Sequence, residues 1–66
     1  MKIAIENLYG VKDGRRAYYR KLGLCYDFVN DKAFSSELTE SEALNVLKHK
    51  DAYLKQYGAE RMVIEP

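Results

Sequence analysis

Tryptophan is absent from this chain, and cysteine, histidine and proline occur once each. A single cysteine cannot form an intramolecular disulfide, and a lone thiol is typical of proteins kept in a reducing compartment. A single histidine leaves the chain without the paired His and Cys ligands of a zinc site. We therefore expect a cytoplasmic protein with no bound metal and no cofactor.

Long apolar runs are also missing. No segment approaches the roughly 20 apolar residues that a membrane-spanning helix needs, and the first residues do not resemble a signal peptide. The chain has no glycine-rich phosphate loop, no EF-hand loop and no Gly-x-Ser-x-Gly motif. With 66 residues, of which 47% are hydrophobic, it is near the lower size limit for a domain held by a hydrophobic core alone. These features predict a single non-enzymatic domain over residues 1–66, without a membrane partner.

The stretch from Leu38 to Gly58 carries the signals of a capped amphipathic helix. Thr39 and Glu42 have the spacing of a capping box, and Leu38 and Ala43 that of a hydrophobic staple. Gly58 stands where a helix usually ends in the left-handed conformation. The sequence thus predicts a helix with defined ends on both sides.

Lys50 interrupts the apolar stripe of this helix. The stripe is otherwise formed by Ala43, Leu47, Leu54 and Tyr57. We interpret the segment as one continuous helix in which the Lys50 stem lies along the core edge. The alternative is a break near His49-Lys50-Asp51, with Asp51 as a second N-cap.

Three segments, Met1–Leu8, Leu24–Asn30 and Ala59–Glu65, alternate apolar and polar residues with the period of a strand, and Ala17–Leu22 is rich in β-favouring Tyr. Gly23 either makes a tight hairpin or bulges one long strand. The predicted order is β-β-β-α-β, or β-β-α-β without the hairpin. Both orders give an α+β fold, with a three- or four-stranded antiparallel sheet and one amphipathic helix packed on one face.

Such a sheet leaves its other face without a helix. Ala4, Cys25, Val29, Val63 and one or two Tyr are expected there, which is more apolar surface than a monomer usually exposes. We therefore predict a protein partner, and a second copy of the chain as a homodimer is one candidate.

The segment from Lys12 to Lys21 is basic although the whole chain has a net charge of only +1. Its plainest interpretation is a solvated outer strand whose charges discourage edge pairing. Its Arg and Tyr side chains are also suited to binding, because Arg pairs with anions and Tyr rings stack. The candidate protein contacts are Arg15, Arg16, Tyr18, Arg20, Lys21 and Tyr26. The candidate nucleic-acid contacts, a second choice, are Lys12, Arg15, Arg16, Tyr18, Arg20 and Lys21.

The stretch Ala17–Tyr57 combines Tyr-rich strands, Phe34-Ser35-Ser36, a capping box and an amphipathic helix. In this it resembles small uncharacterised proteins of prophages and mobile elements, some of which inhibit host defence systems, as anti-CRISPR proteins do. The resemblance implies a protein that acts by contact with a host factor, and it assigns no functional residue.

The same strands and helix are also similar to the arm-type DNA-binding domain of phage integrases, whose three-stranded sheet enters the major groove. This similarity implies contacts from Arg15, Arg16, Tyr18, Arg20 and Lys21. The chain departs from it by a strand after the helix and by its low net charge. A structural subunit of a larger assembly is a further alternative.

Overall fold

Four strands form one antiparallel sheet in the order β3-β2-β1-β4, and two helices cover one of its faces. The computed structural model describes all residues 1–66. Its elements are β1 (Lys2–Glu6), β2 (Arg16–Leu22), β3 (Cys25–Val29), α1 (Glu40–Lys48), α2 (Lys50–Tyr57) and β4 (Arg61–Glu65), with short 3-10 turns at Leu8–Gly10 and Lys32–Phe34. The α+β prediction is confirmed.

Gly23 makes a hairpin rather than a bulge. It has a φ of +60°, and the ladder between β2 and β3 closes with Leu22 opposite Cys25. A two-residue turn of this kind needs positive φ, which glycine adopts without a steric cost. Three strands therefore precede the helical segment and one follows it, as in the first of the two orders that the sequence allows.

Strand β1 is the centre of the fold, because it pairs with β2 on one side and β4 on the other. Its three middle residues, Ile3, Ala4 and Ile5, are 0% exposed. Ile3 and Ile5 face the helices, where each belongs to a separate apolar cluster. Ala4 alternates with them and lies on the opposite face, so β1 is buried on both sides.

The start of α1 has the predicted caps. The Thr39 hydroxyl accepts a hydrogen bond from the Glu42 amide at 3.2 Å, and the Glu42 carboxylate accepts one from the Thr39 amide at 2.9 Å. Leu38 and Ala43 are both buried in the cluster around Ile3. The capping box and the staple are thus confirmed, and they fix how the chain enters the helix.

The expectation of one continuous helix is wrong, because the backbone leaves the helical conformation at His49, with φ −109° and ψ 19°. Asp51 does not act as a second N-cap; it lies in the first turn of α2. The two halves pack differently: α1 contacts only the cluster around Ile3, whereas α2 contributes Tyr53 to that cluster and Leu54 and Tyr57 to the one around Ile5. Lys50 remains exposed at the break, which avoids the cost of burying an unpaired ammonium group.

Five aromatic rings form the contact between the β2–β3 hairpin and α2. Tyr26 and Tyr53 meet edge to face with ring centroids 5.0 Å apart, and Phe28 and Tyr57 do so at 5.1 Å. Tyr19 stacks on Tyr26 at 5.8 Å. Burial raises the pKa of Tyr19, Tyr53 and Tyr57, as expected for phenols removed from water.

Gly58 joins the end of α2 to the loop that follows β1. Its φ is +58°, and its carbonyl accepts a hydrogen bond from Gly10 at 3.0 Å. A Cβ atom at this position would lie 3.2 Å from Cα of Tyr9. Tyr9 itself has a φ of +55°, which is uncommon for a bulky residue. The predicted helix stop is confirmed, and it also serves as a docking point for this loop.

We predict that Gly58→Ala destabilises the fold more than Gly23→Ala does. Both glycines have φ near +60°, so each substitution carries the roughly 1–2 kcal/mol of a left-handed L-residue. Only at Gly58 does the new methyl group also approach another backbone, whereas nothing lies within 4 Å of the one at Gly23. Urea unfolding of both variants measures the difference, and equal losses of stability would contradict the packing role of Gly58.

Candidate functional site

The face of the sheet opposite the helices, here called the outer face, carries three of the candidate residues: Arg16, Tyr18 and Arg20 of β2. Period-two alternation places them together, since Ala17 and Tyr19 between them face the helices. Lys21 and Tyr26 lie on the helix side, where Tyr26 belongs to the aromatic cluster. Lys12 and Arg15 lie in the loop between β1 and β2. The structure therefore divides the predicted set between two faces and a loop.

Arg16 connects three strands across the outer face. Its Nε donates to Glu6 of β1 at 2.8 Å, and its Nη1 donates to Glu65 of β4, also at 2.8 Å. The Tyr18 hydroxyl donates to the same Glu65 oxygen at 2.8 Å. Ala4, which has no side chain beyond Cβ, lies between these residues in the ladder and is fully buried. The side chains of β2 thus take the place of a second helix layer over β1.

Glu65 accepts hydrogen bonds from three side chains on two elements, β2 and the turn that follows β3. Lys32, in the turn after β3, donates to its other oxygen. Together with Tyr18 and Arg16, Lys32 lowers the pKa of Glu65 to about 2. The pKa of Arg16 is raised, chiefly by its hydrogen bond to Glu6. At neutral pH this part of the outer face is therefore fully ionised and internally paired.

Arg20 and Asp27 make a second, bidentate pair on the outer face. The Arg20 guanidinium donates through Nε at 2.9 Å and through Nη2 at 2.6 Å, one bond to each Asp27 oxygen. This pairing lowers the pKa of Asp27 and raises that of Arg20. The two residues are directly opposite each other in the β2–β3 ladder, so the register set by the hairpin turn brings them together.

The other candidate cations are paired as well. Lys21 bonds Glu42 at the start of α1 and is the main cause that lowers the pKa of Glu42 to about 2. Lys12 Nζ lies 3.2 Å from Glu60 Oε2, and Arg15 Nη2 lies 3.4 Å from Asp13 Oδ2. These last two pairs are on the surface, where ion pairs contribute little to stability.

The outer face is less apolar than the sequence predicts. Of the four apolar residues assigned to it, Ala4 is buried, Val29 and Val63 are half-buried, and Cys25 is exposed. The charged side chains of neighbouring strands extend over the small residues and shield them from water. What the face presents is a flat array of paired positive and negative groups.

Neither helix is long and apolar enough to cross a membrane. No three His, Cys, Asp or Glu side chains lie together in an arrangement that could hold a metal ion. The single His49 is exposed at the junction of the two helices. Comparisons with protein-family models, with curated proteins and with solved structures find no match to this chain.

Acid should destabilise the fold through Glu65. Its pKa is about 2 in the folded protein against an ordinary 4.5, so below pH about 5 the unfolded chain binds the proton first. The stabilisation is complete above the unfolded pKa and is lost as the pH falls toward 2. We predict that Glu65→Gln lowers stability at pH 7 and flattens its pH dependence between pH about 4.5 and 2.

Thermal unfolding followed by circular dichroism across this pH range measures the effect. Glu40→Gln is the matched control, because Glu40 is exposed and makes no ion pair. A Glu65→Gln variant with the same pH profile as the wild type would contradict the role given to Glu65.

Proposed function

We propose that this protein is a small non-enzymatic binding domain that acts by protein–protein contact through its outer face. The observation that supports this choice is the pairing of every candidate cation with a carboxylate. A surface of alternating positive and negative groups is complementary to another mixed protein surface. The candidate cations are held by these carboxylates, so their charges are not free to attract a polyanion.

Tyr18 and Arg20 are the side chains best suited to anchor such a contact. Arg and Tyr are enriched among the residues that dominate interface energies. Both side chains project from a paired strand and are already held by hydrogen bonds, Tyr18 to Glu65 and Arg20 to Asp27. Little rotamer freedom remains to be lost when a partner binds, which lowers the cost of association.

More specifically, we propose that this contact inhibits a host factor, such as a component of a defence system. A domain that acts by contact alone would inhibit by covering a surface that its partner needs. The resemblance to proteins of mobile elements is the basis for this form. A structural role in a larger assembly would use the same contact without inhibition.

Nucleic-acid binding through the sheet remains the second candidate. Its contacts would be Lys12, Arg15, Arg16, Tyr18, Arg20 and Lys21. To bind phosphate groups, these cations would have to leave carboxylates that already hold them. The part-buried, charge-assisted hydrogen bonds of Arg16 and Arg20 would have to be exchanged, and this makes nucleic-acid binding the weaker proposal.

We predict that Tyr18→Ala and Arg20→Ala each reduce the capture of a protein partner from nuclease-treated bacterial lysate by about tenfold or more, the scale of an interface anchor. Lys50→Ala is the control, because Lys50 is exposed on the helix side and makes no ion pair. Circular dichroism must show that all three variants remain folded. Capture that is equal for all three would exclude the outer face as the binding surface.

For random-sequence duplex DNA, we predict no gel retardation at either low or moderate salt. A protein that neutralises several phosphates binds far more weakly as salt rises. Binding at low salt that disappears at moderate salt, and that Arg16→Ala weakens, would instead favour the nucleic-acid function. Lys50→Ala again provides the control, since it removes one positive charge away from the candidate residues.

A further inference from the structure

Strand β4 is an open edge of the sheet. All five of its residues are opposite β1 in an unbroken ladder, and no strand lies on its other side. No backbone hydrogen bond from a turn or loop reaches Arg61–Glu65. Edge strands are commonly protected by charged side chains, by Pro or by a bulge. Strand β4 has no Pro or bulge, and its two charged residues, Arg61 and Glu65, are of opposite sign. The backbone groups that do not face β1 are thus available to pair with a strand of complementary charge.

We propose that β4 pairs with β4 of a second copy of this chain, antiparallel and with Val63 at the two-fold axis. This register places Met62 opposite Ile64 of the second copy and Arg61 opposite Glu65 of the second copy. Each contact occurs twice, as the symmetry of a dimer requires. The two sheets of four strands become one sheet of eight.

The charges of the strand support this register. Arg61 and Glu65 both lie on the outer face, and in the dimer each would be directly opposite the other. Arg61 bonds Glu6 through Nε and Glu60 through Nη2, so its Nη1 is free. Glu65 accepts at Oε1 from Lys32 alone, and a carboxylate oxygen can accept a second hydrogen bond. Both ion pairs can therefore form without breaking an existing contact.

The apolar residues of the strand agree with the same register. Ile64 faces the helix side and is 45% exposed, a large fraction for a residue of its size. Pairing would bring Met62 of the second copy beside it, and the reverse contact would form across the axis. Cross-strand apolar neighbours of this kind add to the stability of a sheet.

The opposite edge of the sheet lacks this self-complementarity. A corresponding pairing of β3 with itself would centre on Asp27 and place two carboxylates directly opposite each other. Like charges in that position are destabilising. Self-complementary charge is therefore found at the β4 edge and not at the β3 edge. Because both members of each complementary pair lie within β4 itself, the partner that this edge favours is β4 of a second copy. This interface lies at the β4 edge, whereas Tyr18 and Arg20, the proposed anchors of the outer face, lie on β2.

The first test is sedimentation over a concentration series. Wild-type protein should show a reversible monomer–dimer equilibrium, and Arg61→Glu should weaken it by about tenfold, because the introduced carboxylate would then be opposite that of Glu65 twice. Lys50→Glu is the matched control, since it makes the same charge change at an exposed residue outside the candidate contacts. Monomer at all concentrations, or a dimer unaffected by Arg61→Glu, would overturn the proposal.

The second test is disulfide cross-linking, which reports the register directly. Opposite Cα atoms of an antiparallel pair are about 4.5–5.5 Å apart, within the span of a disulfide. In a Cys25→Ser background, Val63→Cys should cross-link rapidly, because the two copies of residue 63 meet on the axis. Ile64→Cys should cross-link at least about tenfold more slowly, because residue 64 is opposite residue 62 of the second copy and not opposite its own equivalent. This order is the reverse of the one that exposure predicts, since Ile64 is more exposed than Val63.

Equal cross-linking at the two positions would mean random collision or a different register, and would overturn the proposed one. A mass spectrum of the cross-linked species that shows a different protein joined to the Val63→Cys variant would overturn it too, because the edge would then have another occupant. Circular dichroism of both cysteine variants confirms that the fold is intact before the rates are compared.

Discussion

The guanidinium of Arg16, held between Glu6 and Glu65, closes the side of the sheet that no helix covers. A chain of 66 residues has material for one helix layer, and here both helices lie on the same face. The central strand must nevertheless be shielded on both sides, and Ala4 is as completely buried as Ile3 and Ile5. Because Ala4 is small, the long side chains of β2 can extend over it to reach β4. Charged residues thus provide a layer that larger domains build from apolar ones.

Local signals explain the parts of the fold that can be predicted from the sequence. The Thr39–Glu42 capping box and the Gly58 stop depend on neighbours a few residues away, so the sequence contains all the required groups. The Gly23 hairpin is one of two acceptable local solutions, and the pairing of Leu22 with Cys25 decides between them. The break at His49 is also one of two local solutions, because Lys50 interrupts the apolar stripe and the sequence allows either a continuous helix or a break there. The local pattern does not decide between them, since either solution keeps Lys50 out of the core.

The same distinction applies to the candidate site. Alternation along β2 predicts that Arg16, Tyr18 and Arg20 share a face, and the structure has them there. Their carboxylate partners are harder to find, because Glu65 is 49 residues from Arg16 and becomes its neighbour only through the β1–β4 ladder. The partner of Arg20 can be predicted from the sequence, because a two-residue turn at Gly23 places Arg20 opposite Asp27. A local count of basic residues overstates the free positive charge, because it omits these distant partners.

Glu65 links the two surfaces considered for binding. It accepts from Arg16, Tyr18 and Lys32 on the outer face, and in the proposed dimer it also accepts from Arg61 of the second copy. Arg16 and Tyr18 bond Oε2, whereas Oε1 accepts from Lys32 alone. Because a carboxylate oxygen can accept two hydrogen bonds, Arg61 of the second copy would meet Oε1 without displacing the β2 side chains. One carboxylate would therefore serve both surfaces, with a different oxygen for each.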